Sequence, residues 1–246
     1  MMMEFFDLED SGFLDGPFTE DNAEAIGTFD EANGYVGAIC DVGEISDIVS
    51  PTTGMGNVDA VVSYLVAIAE KYFKAYPGGL WAFSFNNQNA SSTTGKQAAE
   101  IQNGVLAHVG ITAPFFDAEG GYDSPAATID MVNSFNANYD GGLLSDMAYS
   151  ENNGWSCTTL VGSVLPQAYC TGQLPEYQNC GVSGGFFGVT VDSIGADTNL
   201  CGSAEALGYQ GGINQFHSLF KTCPSQVLVV GAHAAGIDTS TLTCTT

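Results

Sequence analysis

Three carboxylates stand at and just after the end of the first apolar run that is typical of a strand. Asp41 ends that run, and Glu44 and Asp47 follow it. Carboxylates at a strand end can bind a metal ion or act together as a general acid and base. The same residues are ordinary in an exposed hairpin turn, where water solvates them. We favour the solvated turn, and no catalytic residue is assigned from the sequence.

A second candidate is a hydrolytic triad near residue 233. His233 follows an apolar run, Asp238 could orient its imidazole, and Ser240 could act as the nucleophile. No G-x-S-x-G motif accompanies these residues. The sequence therefore does not favour a serine hydrolase.

A third candidate is a weak calcium site near the start of the sequence. Asp7, Glu9 and Asp15 match the first nine positions of an EF-hand loop, but its twelfth position is Phe18 where a bidentate glutamate is needed. We favour a solvated acidic arm whose phenylalanines pack on the rest of the chain. Calcium is the alternative, with these three carboxylates as its ligands, and no other cofactor is predicted.

The charge balance excludes several classes of partner. The 246 residues carry a net charge of −24, with 28 carboxylates, four lysines and no arginine. Nucleic acid and anionic membrane surfaces would be repelled. The absence of arginine removes the usual bidentate clamp for phosphate or carboxylate substrates. Ten of the carboxylates lie in residues 4–31, so an acidic arm precedes a charge-poor body.

The cysteines and the apolar runs bear on the compartment. The sequence has seven cysteines, six of them after residue 156, and in an oxidising compartment these six would pair and leave Cys40 over. Buried thiols are the equally open alternative. The longest apolar run, 61–69, is much shorter than the roughly 20 residues of a membrane span. The first residues lack the features of a signal peptide. We expect a plastid or an extracellular location, and no membrane insertion.

The residue pattern predicts the following elements: strands at 35–41 and 44–49 joined by a turn at 42–43, a helix from Asn57 to about Tyr76, a strand at 80–85, a helix from 96 entering a strand at 105–111, a short helix at 129–136, strands at 158–165 and 186–191, a helix at 203–222 and a strand at 227–232. Asn57 is the expected cap of the first helix.

Two regions of the sequence resemble each other at an offset of 147 residues. Gly37 falls on Gly184, and Phe73-Lys74-x-x-Pro77 falls on Phe220-Lys221-x-x-Pro224. We interpret the regions as two diverged β-β-α-β units related by pseudo-two-fold symmetry. The predicted fold class is α+β, with a helix covering one face of each sheet.

This interpretation divides the chain into four segments. They are an acidic N-terminal arm at 1–31, a first α+β unit at 32–110, a connecting segment at 111–178 and a second α+β unit at 179–246. The uncharged segments 181–191 and 226–232 are either central strands or edge strands that pair with another chain. The duplicated unit, the charge-poor surface, the acidic arm and the absence of a catalytic constellation predict a structural protein that assembles with itself into a sheet or shell. Edge strands that pair between chains would suit such assembly.

The paired units, with their shared Phe-Lys-x-x-Pro helix ends, resemble the pyrenoid shell proteins of diatoms. That resemblance implies a homo-oligomeric lattice around Rubisco in the plastid. Because the sequence shows no catalytic motif, we do not expect an enzyme.

Two alternatives from other classes stay open. One is a secreted glycoside hydrolase that acts through paired carboxylates, with Trp81, Trp155 and the tyrosines as a sugar-binding surface. The other is a calcium-dependent binding module centred on residues 7–15.

Overall fold

Each strand of this protein runs parallel to the next strand along the chain. The computed structural model describes residues 2–7, 20–109, 114–119, 123–141, 146–150, 163–177, 182, 184–187, 204 and 207–244. Its strands are β1 (Met2–Asp7), β2 (Gly37–Asp41), β3 (Leu80–Asn86), β4 (Phe115–Glu119), β5 (Asp146–Ser150), β6 (Ser163–Ala168), β7 (Gly184–Phe187) and β8 (Gln226–Val230). They pair in sequential order, and β8 pairs with β1, so the sheet closes into a barrel.

Helices connect several of these parallel strands and cover the outside of the sheet. They are α1 (Glu20–Asn33), α2 (Ile45–Ile48), α3 (Val58–Ala75), α4 (Ser92–Val109), α5 (Pro125–Asn138), α6 (Gly208–Phe220) and α7 (Ala232–Ala235). A parallel strand pair needs a crossover, and a helix is its usual form. The strand order and direction are those of a TIM barrel. Among the described residues, no helix is long and apolar enough to cross a membrane.

The two faces of the strands are buried in different places. Side chains from five different strands meet in one cluster, which is possible only inside the barrel: Ile39, Ala82, Phe115, Leu165 and Leu228. Alternate residues of β3, Trp81, Phe83 and Phe85, pack with the outer helices instead. Burial on both faces explains why these strands are nearly continuous apolar runs.

Helix α3 forms where the sequence predicts it. The Asn57 side chain accepts a hydrogen bond from the Ala60 N–H at 3.0 Å, which satisfies a backbone donor of the first turn. The predicted apolar face is buried along its whole length: Val61, Leu65, Ile68, Ala69 and Tyr72. The helix at 129–136 is likewise confirmed within α5, whereas 105–109 are helical and not a strand.

Mixed helix and strand content is confirmed, but the pseudo-two-fold symmetry is not. The predicted strand at 44–49 is wrong, because Ile45–Ile48 is a short helix and β2 continues into a crossover. The interpretation of 1–31 as a solvated arm is also wrong for residues 2–7, which form β1 between β2 and β8, and for the residues from Glu20, where α1 begins. Residues 8–19 lie outside the described part of the chain. Segments 32–110 and 179–246 contribute strands to one closed sheet.

The 147-residue offset corresponds to two equivalent βαβ units of the barrel. It places β2, α3 and β3 on β7, α6 and β8. A Cβ on Gly37 would lie 2.1 Å from the carbonyl oxygen of Leu80, and one on Gly184 would lie 1.9 Å from that of Gln226. Each glycine therefore begins a strand where the next strand leaves no room for a side chain.

Closure of the barrel gives strand partners within this chain to the two strands that were considered for pairing between chains. β7 pairs with β6 and β8, and β8 pairs with β7 and β1. Neither strand is an edge. The described strands therefore offer no such edge to the predicted self-assembly.

A disulfide joins the segment between α6 and β8 to the last described residue. Cys223 and Cys244 are bonded, Cys170 is also in a disulfide, and Cys40 is a buried thiol. Of the two states left open by the sequence, the paired state is therefore found for these three residues.

Candidate active site at the carboxyl end of the barrel

Polar side chains lie directly above the apolar layer inside the barrel. On four strands, the residue two positions after the apolar interior residue is polar and buried: Asp41 on β2, Ser84 on β3, Asp117 on β4 and Gln167 on β6. Residues two apart on a strand face the same side, so these four point into the barrel. Parallel strands bring their carboxyl ends to one rim, which is where TIM-barrel enzymes carry their active sites.

A short hydrogen bond inside the barrel connects β4 to β6. The Gln167 side-chain amide donates to Asp117 Oδ1 at 2.5 Å. Both residues are nearly inaccessible, Asp117 at 9% and Gln167 at 4% exposure. Because an amide N–H donates at every pH, Gln167 fixes the position of the carboxylate without competing for its proton.

Asp41 is buried at 4% exposure, so the interpretation as a solvated turn is wrong for this residue. Its Oδ1 accepts a hydrogen bond from the Gly43 N–H at 3.2 Å. Gly43 has a φ of +81°, a conformation that favours glycine. The turn after β2 therefore holds the Asp41 carboxylate inside the barrel.

Glu44 joins the loops that follow β2 and β3, and it too is buried, at 5% exposure. Its Oε1 accepts hydrogen bonds from Asn89 Nδ2, at 2.5 Å, and from the Ser46 hydroxyl. Asp47 is exposed, as expected for a solvated carboxylate. Of the three carboxylates, two are thus structural or interior, and only one is solvated.

Glu119 is the last residue of β4, two positions after Asp117. The period of a strand assigns positions 117 and 119 to the same face. The backbone therefore places a second carboxylate position at the rim, one step closer to the mouth of the barrel.

The lysine side chains of this protein lie on or next to its helices and not in the polar layer inside the barrel. The chain's four lysines are on α3, on α4 and directly after α6: Lys71, Lys74, Lys96 and Lys221. Lys74 Nζ lies 2.9 Å from Glu24 Oε1, and this hydrogen bond lowers the pKa of Glu24 below its ordinary value. The polar layer consequently offers carboxylates, amides and a hydroxyl to a ligand, and no positive charge.

The proposed triad of His233, Asp238 and Ser240 has another structural explanation. Asp238 Oδ1 accepts the Ser240 N–H at 2.7 Å and caps a short 3₁₀ helix, and these hydrogen bonds lower its pKa. His233 is half-buried with its ring 5.2 Å from that of Phe29, and burial lowers its pKa. Asp238 thus acts as a helix cap.

The calcium prediction stays a prediction. Asp7 ends β1 with Asp41 as its backbone neighbour, whereas Glu9 and Asp15 lie outside the described residues. In the part of the chain that the structure describes, no group of three His, Cys, Asp or Glu side chains is arranged to hold a metal ion.

Trp81, which was proposed for sugar binding, lies outside the barrel interior and away from the polar layer. Trp81 is 1% exposed and packs between the sheet and α3, with its ring 4.5 Å from that of Tyr72. Trp155 lies outside the described residues. Among the described residues, Tyr169, which follows β6 and packs partly on the interior cluster, is an aromatic residue at the rim.

A cavity of about 350 Å³ adjoins the rim beside β2. Its walls come from the residue after Asp41, from α2, from the following loop and from α3: Val42, Asp47, Ile48, Thr53, Met55 and Tyr64. The loop is held by hydrogen bonds such as Met55 N–H to the Ile48 carbonyl, at 2.7 Å. This volume is within the range of small-molecule sites.

The sequence carried a signal for the missed residues Ser84, Asp117 and Gln167. Each follows an apolar residue by two positions, near the end of an apolar run. That signal becomes informative only when the runs are known to be parallel, because parallel strands bring their carboxyl ends together. In the predicted hairpins, by contrast, such ends would be divided between the two edges of the sheet.

No family model matches this sequence, and no curated protein is significantly similar to it. The chemistry of the site must therefore be inferred from its geometry.

Proposed function

We propose that this chain is a glycoside hydrolase that acts through carboxylates at the carboxyl end of its barrel. The observation that carries the proposal is the buried polar layer of Asp41, Asp117 and Gln167 at the catalytic rim of a TIM-barrel topology. Burying carboxylates costs free energy unless they are hydrogen-bonded or have a function. Enzymes retain such groups where they act on a substrate.

The composition of the layer favours a neutral substrate that is rich in hydroxyl groups. Carboxylates, amides and hydroxyls hydrogen-bond to sugar hydroxyls, whereas an anionic substrate would meet a chain of charge −24 with no arginine. Glycoside hydrolysis needs two carboxyl groups and no cation. The site and the whole-chain charge therefore point to the same substrate class.

We assign the two roles to two positions on β4, with Glu119 protonated at the start of the reaction. Glu119, at the end of the strand, donates a proton to the glycosidic oxygen as its bond to the anomeric carbon breaks. Asp117, held by Gln167, stabilises the positive charge that develops on the sugar. Water then adds to the anomeric carbon and returns a proton to Glu119. Hydrolysis thus balances without any further reactant.

The disulfides support an extracellular location for this activity. Cys223, Cys244 and Cys170 are bonded, and disulfides persist in oxidising compartments. A secreted hydrolase acting on polysaccharide fits such a compartment.

Self-assembly into a shell, with a plastid location, stays a prediction from the sequence. The closed barrel gives it no free strand edge among the described strands. We therefore prefer the hydrolase to the shell protein.

Release of reducing sugar tests the proposal. The wild-type chain is incubated with soluble neutral glycans: β-1,4- and β-1,3-glucans, xylan, mannan and soluble chitin derivatives. Asp117→Asn and Glu119→Gln are compared with Asp130→Asn, a matched change on the exposed face of α5. We expect the two site variants to lose about 100-fold or more and the control to match the wild type. Absence of activity on the whole panel, or full activity in both site variants, would contradict the proposal.

A further inference from the structure

One hydroxyl in the polar layer is buried without a hydrogen-bond partner. Ser84 has 0% exposure, and its Oγ makes no hydrogen bond with the residues that the structure describes. A buried hydroxyl that makes no hydrogen bond loses the hydration that it has in the unfolded chain. Its presence therefore needs an explanation other than stability.

The direction of the Ser84 side chain follows from its neighbours. Ala82 packs in the cluster inside the barrel, whereas Phe83 and Phe85 pack against the outer helices. Ser84 has the parity of Ala82, so its hydroxyl points into the barrel. It lies one step above the apolar layer, towards the mouth.

The backbone of Ser84 already makes the contact that holds this part of the sheet. Its carbonyl oxygen accepts a hydrogen bond from the Val42 N–H at 2.8 Å. This backbone hydrogen bond joins β3 to the end of β2, so the Ser84 hydroxyl is not needed for that contact. Alanine would fill the same position in the strand.

A carboxylate lies beside this hydroxyl. Asp41 is the backbone partner of Ser84 on the adjacent strand, and it has the same inward parity as Ser84. The Gly43 N–H fixes the Asp41 carboxylate, and a carboxylate accepts several hydrogen bonds at once. A ligand hydroxyl between the two residues would be able to accept from Ser84 and donate to Asp41.

We propose that Ser84 and Asp41 bind one hydroxyl group of a substrate sugar and so select sugars that carry a hydroxyl at that position. This inference rests on the proposed function, since it names a contact of the same site. A polar site built for a hydroxyl rejects an analogue that lacks it, because the buried groups are then left unpaired. Ser84 is thus a specificity-determining residue.

Binding of hexasaccharides to Ser84→Ala tests the inference. The probes are the gluco-, xylo-, manno- and chito-hexaoses, measured by titration calorimetry on the full chain. The Glu119→Gln background prevents consumption of the probe. Ser63→Ala, on α3, is the matched control, because its hydroxyl only donates to the Asp59 carbonyl at 2.9 Å. We expect Ser84→Ala to weaken binding of the preferred hexaose about 10-fold, and the control to bind as before.

Thermal unfolding without sugar separates a ligand contact from a structural one. Removal of an unpartnered buried hydroxyl leaves Tm unchanged or raises it, so affinity falls while stability does not. Three results would overturn the inference. In the first, Ser84→Ala binds the hexaose as tightly as its Glu119→Gln parent does. In the second, its Tm falls far enough to account for the loss of binding, and in the third, the parent binds none of the hexaoses. Binding that depends on Ser84, without sugar release by the wild type, would instead refute only the proposed hydrolysis.

Discussion

Replacing Gln167 by methionine tests whether the Asp117 carboxylate must be held in place. Methionine is close to glutamine in length and volume and lacks the amide N–H. The change therefore removes the 2.5 Å hydrogen bond to Asp117 Oδ1 and leaves the space filled. No new charge enters the barrel.

The size of the effect follows from burial. Asp117 and Gln167 are 9% and 4% exposed, so water replaces the lost donor poorly. A hydrogen bond to a charged group contributes about 1.5–3 kcal/mol. If the full contribution is lost from the transition state, kcat falls roughly 10- to 150-fold. The free energy of unfolding decreases by a similar amount.

The assay measures kcat and KM on the glycan that the wild type hydrolyses fastest, together with urea unfolding. Gln102→Met is the matched control, because Gln102 is a fully buried glutamine on α4, outside the barrel interior. We expect both variants to lose stability and only Gln167→Met to lose kcat. Assays at a temperature where each variant is fully folded separate the two effects.

Two results would refute this reasoning. If Gln167→Met keeps the wild-type kcat, the hydrogen bond does not position a reacting group. If Gln102→Met loses kcat to the same extent, the loss follows from weakened folding and says nothing about the site.

Two further predictions concern the outer layer of the fold. Tyr72→Phe removes the 2.8 Å hydrogen bond from the Tyr72 hydroxyl to the fully buried Asp30 carboxylate. Urea unfolding should therefore show that the free energy of unfolding decreases by about 1.5–3 kcal/mol. A decrease under about 0.5 kcal/mol would contradict this prediction. Burial lowers the pKa of His233 below its ordinary 6.5, so the unfolded chain takes up a proton before the folded chain does. This contribution to stability is complete above about pH 6.5 and is lost as the pH falls towards the folded-state pKa. Between about pH 7.5 and about pH 5.5, the free energy of unfolding should therefore fall less in His233→Gln than in the wild type. An equal fall in both proteins would refute the lowered pKa of His233.

The sequence predicts the local elements of this fold better than its topology. Helix α3 is recognisable because the Asn57 cap and the apolar face act within one helix. The direction of the strand at residues 80–86 is not encoded locally, since a strand buried on both faces is an apolar run whichever way its neighbours lie. The residues after Asp41 have the pattern of a hairpin turn, but in the structure they lead into α2 and a crossover to a parallel strand.

The candidate site was missed for the same reason. Asp41 is recognisable in the sequence as a strand-end carboxylate, but a hairpin would place it in a solvated turn outside the sheet. Barrel closure encloses it instead, at 4% exposure. Asp117 and Gln167 are 50 positions apart, and only the parallel order of β4, β5 and β6 brings them together.

The pairing of β1 with β8 has a consequence for how this chain is made. Met2 lies beside Val227, so β1 cannot pair with β8 until the ribosome has synthesised more than 200 further residues. At about 5–20 residues per second, that interval is roughly 10–40 s. During this time the nascent sheet has two open edges, and the apolar residues of β1 are exposed to other chains. Synthesis of this protein should therefore depend on chaperones that cover the early strands until β8 emerges.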